Sequence, residues 1–240
     1  MPHIWDMLRR YARPEVRGSS RTIFEAVLSG AWYTLRMALV GLVLGAAVGL
    51  ALAILMARFR VVERGLLPWL VISQTVPLIA LAPLVVSWGG RLSLFGVDWQ
   101  RWMSASVIAA FLAFFPISLG ALRGLTSPPA AAVELMATYA APWRKTLWKL
   151  RLPAAIPFVM PSVKLAANAA LVGTIVAEIS TGLKGGIGRL ILEYTREATS
   201  DPAKVFTAVF GAAALGLFMA VLIATVDIVL TRNHRREVAL

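Results

Sequence analysis

Long apolar runs separated by short polar stretches dominate this chain. A helix needs about 20 mostly apolar residues, at about 1.5 Å each, to cross a bilayer. Five runs reach that length. The pattern predicts an all-α membrane protein with about five transmembrane helices, at residues 37–57, 66–88, 103–122, 154–177 and 205–230.

The first 35 residues have a different pattern. They are rich in Arg and lack the apolar core of a cleavable signal peptide. Apolar residues such as Phe24, Leu28 and Leu35 recur at helical spacing, so residues 22–35 are predicted to form an interfacial amphipathic helix. The sequence thus divides into a polar N-terminal segment with this helix (1–35), a transmembrane domain (36–232) and a tail (233–240).

Glycine and proline indicate how the spans pack. Gly41, Gly45 and Gly49 repeat every four residues, which places them on one helix face where another helix can approach closely. Pro77 and Pro83 in the second span and Pro116 in the third leave backbone carbonyls without a donor. Both spans are therefore predicted to be kinked and packed against protein.

Composition supports the membrane assignment and excludes several chemistries. Hydrophobic residues make up 59% of the chain, against roughly 45–50% in soluble domains. The net charge of +12 is spread over short clusters that flank the apolar runs, which argues against nucleic-acid binding. There is no cysteine, and His3 and His234 lie in the polar ends, so no thiolate or histidine metal site and no Ser-His-Asp triad is predicted.

The distribution of Lys and Arg predicts the orientation. If the insert between the third and fourth spans, residues 124–153, is cytoplasmic, that side carries eleven of these cations in its loops and the other side six. Five spans then leave the Arg-rich N-terminus outside. Either the charge bias is overridden there, or another span lies upstream.

Polar residues within the spans are candidates for a functional site inside the membrane. Lys164 lies near mid-membrane, with Asn168 on the same face one turn later. They either line a pathway or have structural partners, for example a carboxylate for Lys164. Ser73, Gln74 and Thr75 in the second span either bond between helices or contact a substrate.

The segment that follows the fourth span, "GLKGGIG", lacks the order of a phosphate-binding loop and follows a membrane helix, so it is predicted to be a glycine-rich outer turn. Glu178, just before it, is predicted to be a solvated or gate-closing carboxylate.

The insert contains "ELMATYAAPWRKTLWKLRLP", Glu134 to Pro153. One short helix is predicted over Ala130–Tyr139 and a second over Trp143–Leu150, ended by Leu152-Pro153. The hairpin is too charged for the bilayer and too apolar on one face for water. It therefore requires a protein partner.

This stretch resembles the EAA loop in the inner-membrane permeases of type I ABC importers. Leu135 and Met136 replace the two Ala that usually follow the Glu, and Ala140 replaces the usual Gly. "QTVPLIALAPLVVSWGG" (74–90) and "GTIVAEISTGLKGGIG" (173–188) are similar to segments of the nitrate, sulfonate and taurine permeases. The residues that the resemblance marks for ATPase coupling are Glu134, Ala137, Ala140, Trp143, Leu147, Leu150, Leu152 and Pro153.

The resemblance implies a non-catalytic subunit of the bacterial inner membrane, with no cofactor of its own. Its implied partners are a cytoplasmic ATPase that uses ATP and Mg, a second permease copy and an extracytoplasmic solute-binding protein. The implied substrate is a small anion such as nitrate, a sulfonate or taurine, or a pyrimidine-like heterocycle. The loop would form a coupling helix, held by hydrogen bonds of Glu134, while Trp143, Leu147 and Leu150 either anchor it to its own spans or fill the ATPase groove. The alternatives are a stand-alone channel or secondary carrier, and a membrane-embedded enzyme.

Overall fold

Helices account for most of the residues that the computed structural model describes, which are 3–16, 20–89, 93–94 and 97–237. The predicted all-α membrane architecture is confirmed, with the addition of two short antiparallel strands, β1 (Ser93–Leu94) and β2 (Val97–Asp98). A π-helical turn, Leu147–Arg151, joins α7 to α8. The helices are α1 (Ile4–Arg10), α2 (Ile23–Arg58), α3 (Arg60–Ser73), α4 (Leu78–Gly89), α5 (Arg101–Leu125), α6 (Ala130–Thr138), α7 (Trp143–Thr146), α8 (Leu152–Thr181), α9 (Ile187–Arg196) and α10 (Pro202–Glu237).

Four stretches of helix in the described residues are long and apolar enough to cross a membrane: α2, α5, the continuous helix Trp143–Thr181, and Pro202–Val229 of α10. Helices α3 and α4 meet at 98° and satisfy the same test as a pair. If they form one broken span, the total is five. The last helix continues through Glu237, so most of the predicted tail is helical, and residues 238–240 lie outside the described part.

The predicted boundary between an interfacial helix and the first span does not exist. Residues 23–58 form one helix, which begins at a capping box where Thr22 and Glu25 bond each other's backbone N–H groups. The stretch contains no proline, and propagating a helix is easier than starting a second one. One face of its first turns is also buried against α9 and α10, with Ile23 and Val27 packed on Ile187 and Ala208.

The second predicted span, residues 66–88, starts earlier and is broken at residues 74–77. Pro77 disfavours the helical conformation at Val76 and cannot donate a hydrogen bond. On the α3 side of the break, the Ser73 hydroxyl donates to the Leu70 carbonyl at 2.7 Å and the Thr75 hydroxyl to the Ile72 carbonyl at 2.8 Å. Proline thus produces a sharp break here, more than the predicted kink.

The glycine stripe of α2 faces α5, as the spacing predicted. A methyl group on Gly45 would lie 2.7 Å from Ala113 Cβ and 2.8 Å from the Ala110 carbonyl oxygen. Gly49 is equally close to the Phe114 carbonyl, at 2.7 Å. The two backbones therefore pack in direct contact, and small residues at these positions are required.

Two clusters of apolar residues define the ends of the molecule. The inner cluster joins α2, α3, α5 and α8 at the end that carries the insert, and includes Met56, Leu70, Leu125, Leu147 and Ala155. The outer cluster joins α2, α9 and α10 at the opposite end, and includes Ile23, Val27, Ile187, Tyr194 and Ala208. We call these the inner and outer ends, following the predicted orientation.

Polar contacts hold the N-terminal segment to the outer end. Arg10 pairs with Asp201 at 2.5 Å, and the Tyr11 hydroxyl donates to the Thr207 carbonyl at 2.7 Å. Lys204 is buried and donates to the Glu15 carbonyl at 2.8 Å.

The phenol of Tyr194 is part of the same set of contacts and donates to Glu15 Oε1 at 3.1 Å. Burial, together with the Glu15 carboxylate, raises the pKa of Tyr194 above its ordinary value. Acids at the outer end thus compensate part of the positive charge of the N-terminal segment.

Candidate coupling and pathway sites

The first helix of the insert, α6, has no buried residue. In the turn that follows it, Ala140 N–H donates to the Ala137 carbonyl at 2.8 Å and Ala141 N–H to the Met136 carbonyl at 3.0 Å. This hydrogen-bond pair is a Schellman motif, which needs a left-handed residue. Ala140 provides it with a φ of 47°, the only positive φ outside glycine in the described residues. The replaced glycine position therefore keeps the backbone conformation that favours glycine.

The apolar face of the second half of the insert packs on the transmembrane helices of the same chain. Leu147 is buried in the inner cluster, and Trp143 and Leu152 pack against that cluster. The Arg58 guanidinium lies over the Trp143 ring, 4.8 Å from its centroid. The sequence leaves two roles open for this face, packing on its own spans or filling a partner's groove. Trp143 and Leu147 have the first role and anchor the hairpin to its own spans. Leu150 is half-buried and is not part of this cluster.

The predicted end of this helix at Leu152-Pro153 is wrong. Residues 143–181 are helical throughout, with the π-helical turn Leu147–Arg151 just before Pro153. In that turn the Leu152 N–H bonds to the Leu147 carbonyl, five residues back. The wider turn lets the helix pass Pro153, in the first turn of α8, without ending.

A different set of apolar side chains is exposed on the insert. Leu135 is 56% exposed, Tyr139 77% and Trp148 71%. The carboxylate of Glu134 is exposed and has no hydrogen-bond partner in the described part of the chain, so its predicted role of holding the loop stays a prediction. Ala137 and Pro153 are exposed as well. We call Leu135, Tyr139 and Trp148 the exposed face of the insert.

In the spans, Lys164 has a carboxylate partner, one of the two predicted possibilities. Its ammonium pairs with Asp227 of α10, and its side chain keeps 44% exposure. Asn168, one turn further along α8, is exposed, and no hydrogen bond to its amide is found among the described residues. Ser73, Gln74 and Thr75 lie at the α3–α4 break and bond locally, with Gln74 donating to the Ser73 hydroxyl at 3.2 Å.

Comparison with known proteins decides the family. Residues 41–238 match the model of the binding-protein-dependent transport system inner membrane component. The chain belongs to this family of ABC importer permeases. The permease is accordingly a multi-pass protein of the inner membrane. The family consists of transport subunits, which argues against a stand-alone carrier or a membrane-embedded enzyme.

Individual relatives carry more specific names. The permease is 31% identical to an ABC transporter permease protein of Haemophilus influenzae, over 79% of this chain and 77% of the relative. It is 32% identical to the formylaminopyrimidine transport permease ThiX of Halalkalibacterium halodurans, over 77% and 69% of the two chains. It is 30% identical to a Bacillus subtilis protein named for aliphatic sulfonates transport, SsuC, over 81% and 68%.

Glu178 of the permease is buried, which rules out the predicted solvated carboxylate, while the predicted gate-closing role stays a prediction. It accepts a hydrogen bond from the Thr34 hydroxyl at 2.7 Å and one from the Gly188 N–H at 2.7 Å. The same Thr34 oxygen accepts the Ile187 N–H at 2.9 Å. The first N–H groups of α9 are thus satisfied by side chains of α2 and α8. They are not available to a phosphate, and a side chain on Gly186 would overlap the Glu178 carboxylate.

Ala140 yields the first prediction. Replacing it with glycine should stabilise the insert, because an L-residue in the left-handed region costs about 1–2 kcal/mol that glycine avoids. The greater conformational entropy of glycine in the unfolded chain offsets part of this gain, by about 0.4–1 kcal/mol. Hydrogen exchange of the Ala141 amide should slow in Ala140→Gly.

The matched control is Ala137→Gly, at an exposed position inside α6. There glycine is about 1 kcal/mol less favourable than alanine, so exchange in the insert should accelerate. Equal changes in the two variants would show that the turn does not strain Ala140.

Proposed function

We propose that the permease is driven by a separate ATPase chain that binds the exposed face of the insert. The observation that supports this proposal is that Leu135, Tyr139 and Trp148 are exposed at the inner end, while Trp143 and Leu147 of the same insert pack on the spans. Aromatic side chains in such positions are typical anchors of protein interfaces. In this proposal the permease binds no nucleotide or metal, and ATP and Mg are used by the partner.

The continuous helix supports a mechanical role for this face. Because residues 143–181 form one helix, displacement of the insert moves α8 with it. At the other end of α8, Glu178 is bonded to α9. An ATPase that binds the insert with different affinities in its open and closed states would shift the permease between inward- and outward-open states.

We further propose that α8 faces a second copy of the permease across the transport pathway. An exposed stripe runs along this helix through Pro157, Pro161, Leu165, Asn168 and Val172. The Asn168 amide, which has no hydrogen-bond partner among the described residues, would be costly against lipid, because hydrocarbon offers no partner either. A water-filled pathway between two copies supplies such partners.

A small anion is the substrate class that this stripe favours. Lys164 lies on the stripe, and its ammonium has three donors, of which Asp227 accepts one. The name of SsuC refers to sulfonates, which are anions, and the name of ThiX refers to a pyrimidine. A solute-binding protein would deliver the substrate from outside, as the family description indicates.

The coupling proposal is tested with Leu135→Asp/Tyr139→Asp. Co-purification of the partner ATPase should fall at least about tenfold, since loss of interface anchors costs about 2 kcal/mol or more. ATP-dependent uptake in proteoliposomes should fall with it. The same assay, run with an alkyl sulfonate and an uncharged pyrimidine, tests the preference for anions.

Val61→Asp is the matched control, because Val61 lies near the inner end on α3, is 84% exposed and is not part of the insert. It should bind the ATPase normally. If the double variant retains both ATPase binding and uptake, the exposed face of the insert is not the coupling surface.

A further inference from the structure

Arg36 of α2 is an exposed cation with an aromatic neighbour and no acid. Its guanidinium carbon lies 4.7 Å from the centre of the Trp32 ring. Among the described residues it forms no ion pair and no hydrogen bond with a side chain. The next charged residue along α2 is Arg58, which is the last residue of the helix, 22 positions later.

The spacing of these two arginines gives the depth of Arg36. The residues between them carry no charge. At about 1.5 Å per residue they span about 33 Å, against about 30 Å for the hydrocarbon core. With Arg58 at the inner boundary, Arg36 lies at the level of the outer headgroups. Trp102, in the first turn of α5, packs in the same cluster as Tyr33 and Met37 and so lies at a similar level.

A groove lies beside the guanidinium. It has a volume of about 490 Å³ and is lined by Tyr33, Arg36, Met37, Leu39, Val40 and Trp102. The exposed surface of α2 continues from it through Val43, Leu44 and Val48, all apolar. From Arg36 to Val48 the rise is about 18 Å, comparable to one leaflet of about 15 Å.

We propose that Arg36 and this groove bind a phospholipid of the outer leaflet that has a net negative headgroup. The guanidinium provides paired donors for the phosphate oxygens, and Trp32 holds it in place. The acyl chain lies along Val40 and the apolar surface below it. The groove lining carries one cation and no carboxylate that could form an ion pair with a headgroup ammonium, so the charge of the site favours anionic lipids over zwitterionic ones.

A larger groove between α2 and α10, of about 590 Å³, lacks this chemistry. Residues such as Phe24, Leu28, Phe210 and Phe218 line it, and none of its lining residues is charged. It therefore gives no indication of a headgroup, and the inference concerns the Arg36 site alone. It does not depend on the proposed coupling surface or on the proposed substrate.

Native mass spectrometry of the purified full-length permease tests the proposal, with phosphatidylglycerol and phosphatidylcholine of equal chain length as probes. The wild type should retain one phosphatidylglycerol at least tenfold more tightly than phosphatidylcholine. Arg36→Gln should lose that preference, and Arg36→Lys should keep part of it. Arg101→Gln, which removes another exposed arginine at the start of α5, should behave as wild type.

A soluble anion or a second copy of the chain at this site would give different results from a lipid. If inorganic phosphate at millimolar concentration displaces the lipid, the site takes soluble anions and the lipid assignment is wrong. If only monomers retain the lipid while dimers exclude it, a second copy covers the groove. Equal retention by Arg36→Gln and wild type would also overturn the proposal, provided both elute and melt alike.

Discussion

Replacing Gly45 with leucine should prevent α2 and α5 from packing, and should cause a large loss of stability. The first added carbon already lies 2.7 Å from Ala113 Cβ and 2.8 Å from a backbone oxygen of α5. Overpacking a core costs about 1–3 kcal/mol where side chains can adjust, and more where backbone must move. Fluorescence-detected size exclusion in detergent should show little monodisperse protein, and Gly45→Ala should be intermediate.

Gly65 of α3 provides the matched control. A side chain at Gly65 meets no atom within 4 Å, so the site has open space. Gly65→Leu should be neutral or slightly stabilising, because leucine is favoured over glycine in a helix by up to about 1 kcal/mol. If Gly45→Leu eluted and melted like Gly65→Leu, the α2–α5 contact would not be as close as described.

Replacing Glu178 with leucine should detach α9 from the spans. It leaves the Thr34 hydroxyl and the Gly188 N–H without their acceptor in a buried site. Each unsatisfied buried donor costs about 1–3 kcal/mol, so the variant should lose about 2–6 kcal/mol. The melting temperature should fall, and proteolysis between α8 and α9 should accelerate. Glu178→Gln, which keeps one acceptor oxygen, should lie between leucine and wild type.

Glu193, on α9 itself, is the control for this substitution. It pairs with Arg189 four residues earlier at 2.6 Å and is 42% exposed. Such pairs contribute about 0.3–0.5 kcal/mol, so Glu193→Leu should be almost neutral. Equal destabilisation by Glu193→Leu and Glu178→Leu would show that burial of Glu178 has no special role.

Much of the helical architecture was predictable because it depends on local properties of the sequence. The length of an apolar run predicts a span, and the four-residue spacing from Gly41 to Gly49 predicts close packing. The location of the break near Pro77 follows from proline chemistry, although its angle does not. The resemblance of the insert to the EAA loop led to the family, which the family match then showed.

The errors concern features that depend on tertiary contacts. Glu178 follows the predicted end of the fourth span, and this position predicts a solvated or gate-closing carboxylate. Nothing local reveals that the side chain is buried and that Thr34, 144 positions earlier, donates to it. The spacing of Trp143 and Leu147 describes the face that packs on the spans, and it does not reveal that Trp148 is exposed. Pro153 predicts a helix end, and only the preceding π-helical turn explains why the helix continues.

The unbroken helix from Trp143 to Thr181 is long enough to convert a small tilt into a large displacement of its far end. Its 39 residues extend about 58 Å, so it is longer than the membrane core is thick. A tilt of about 5° around one end moves the other end by about 5 Å over this length. The helix therefore acts as a lever. A tilt of a few degrees that starts at the inner surface is enough to open or close a gap of molecular size between helices at the outer surface.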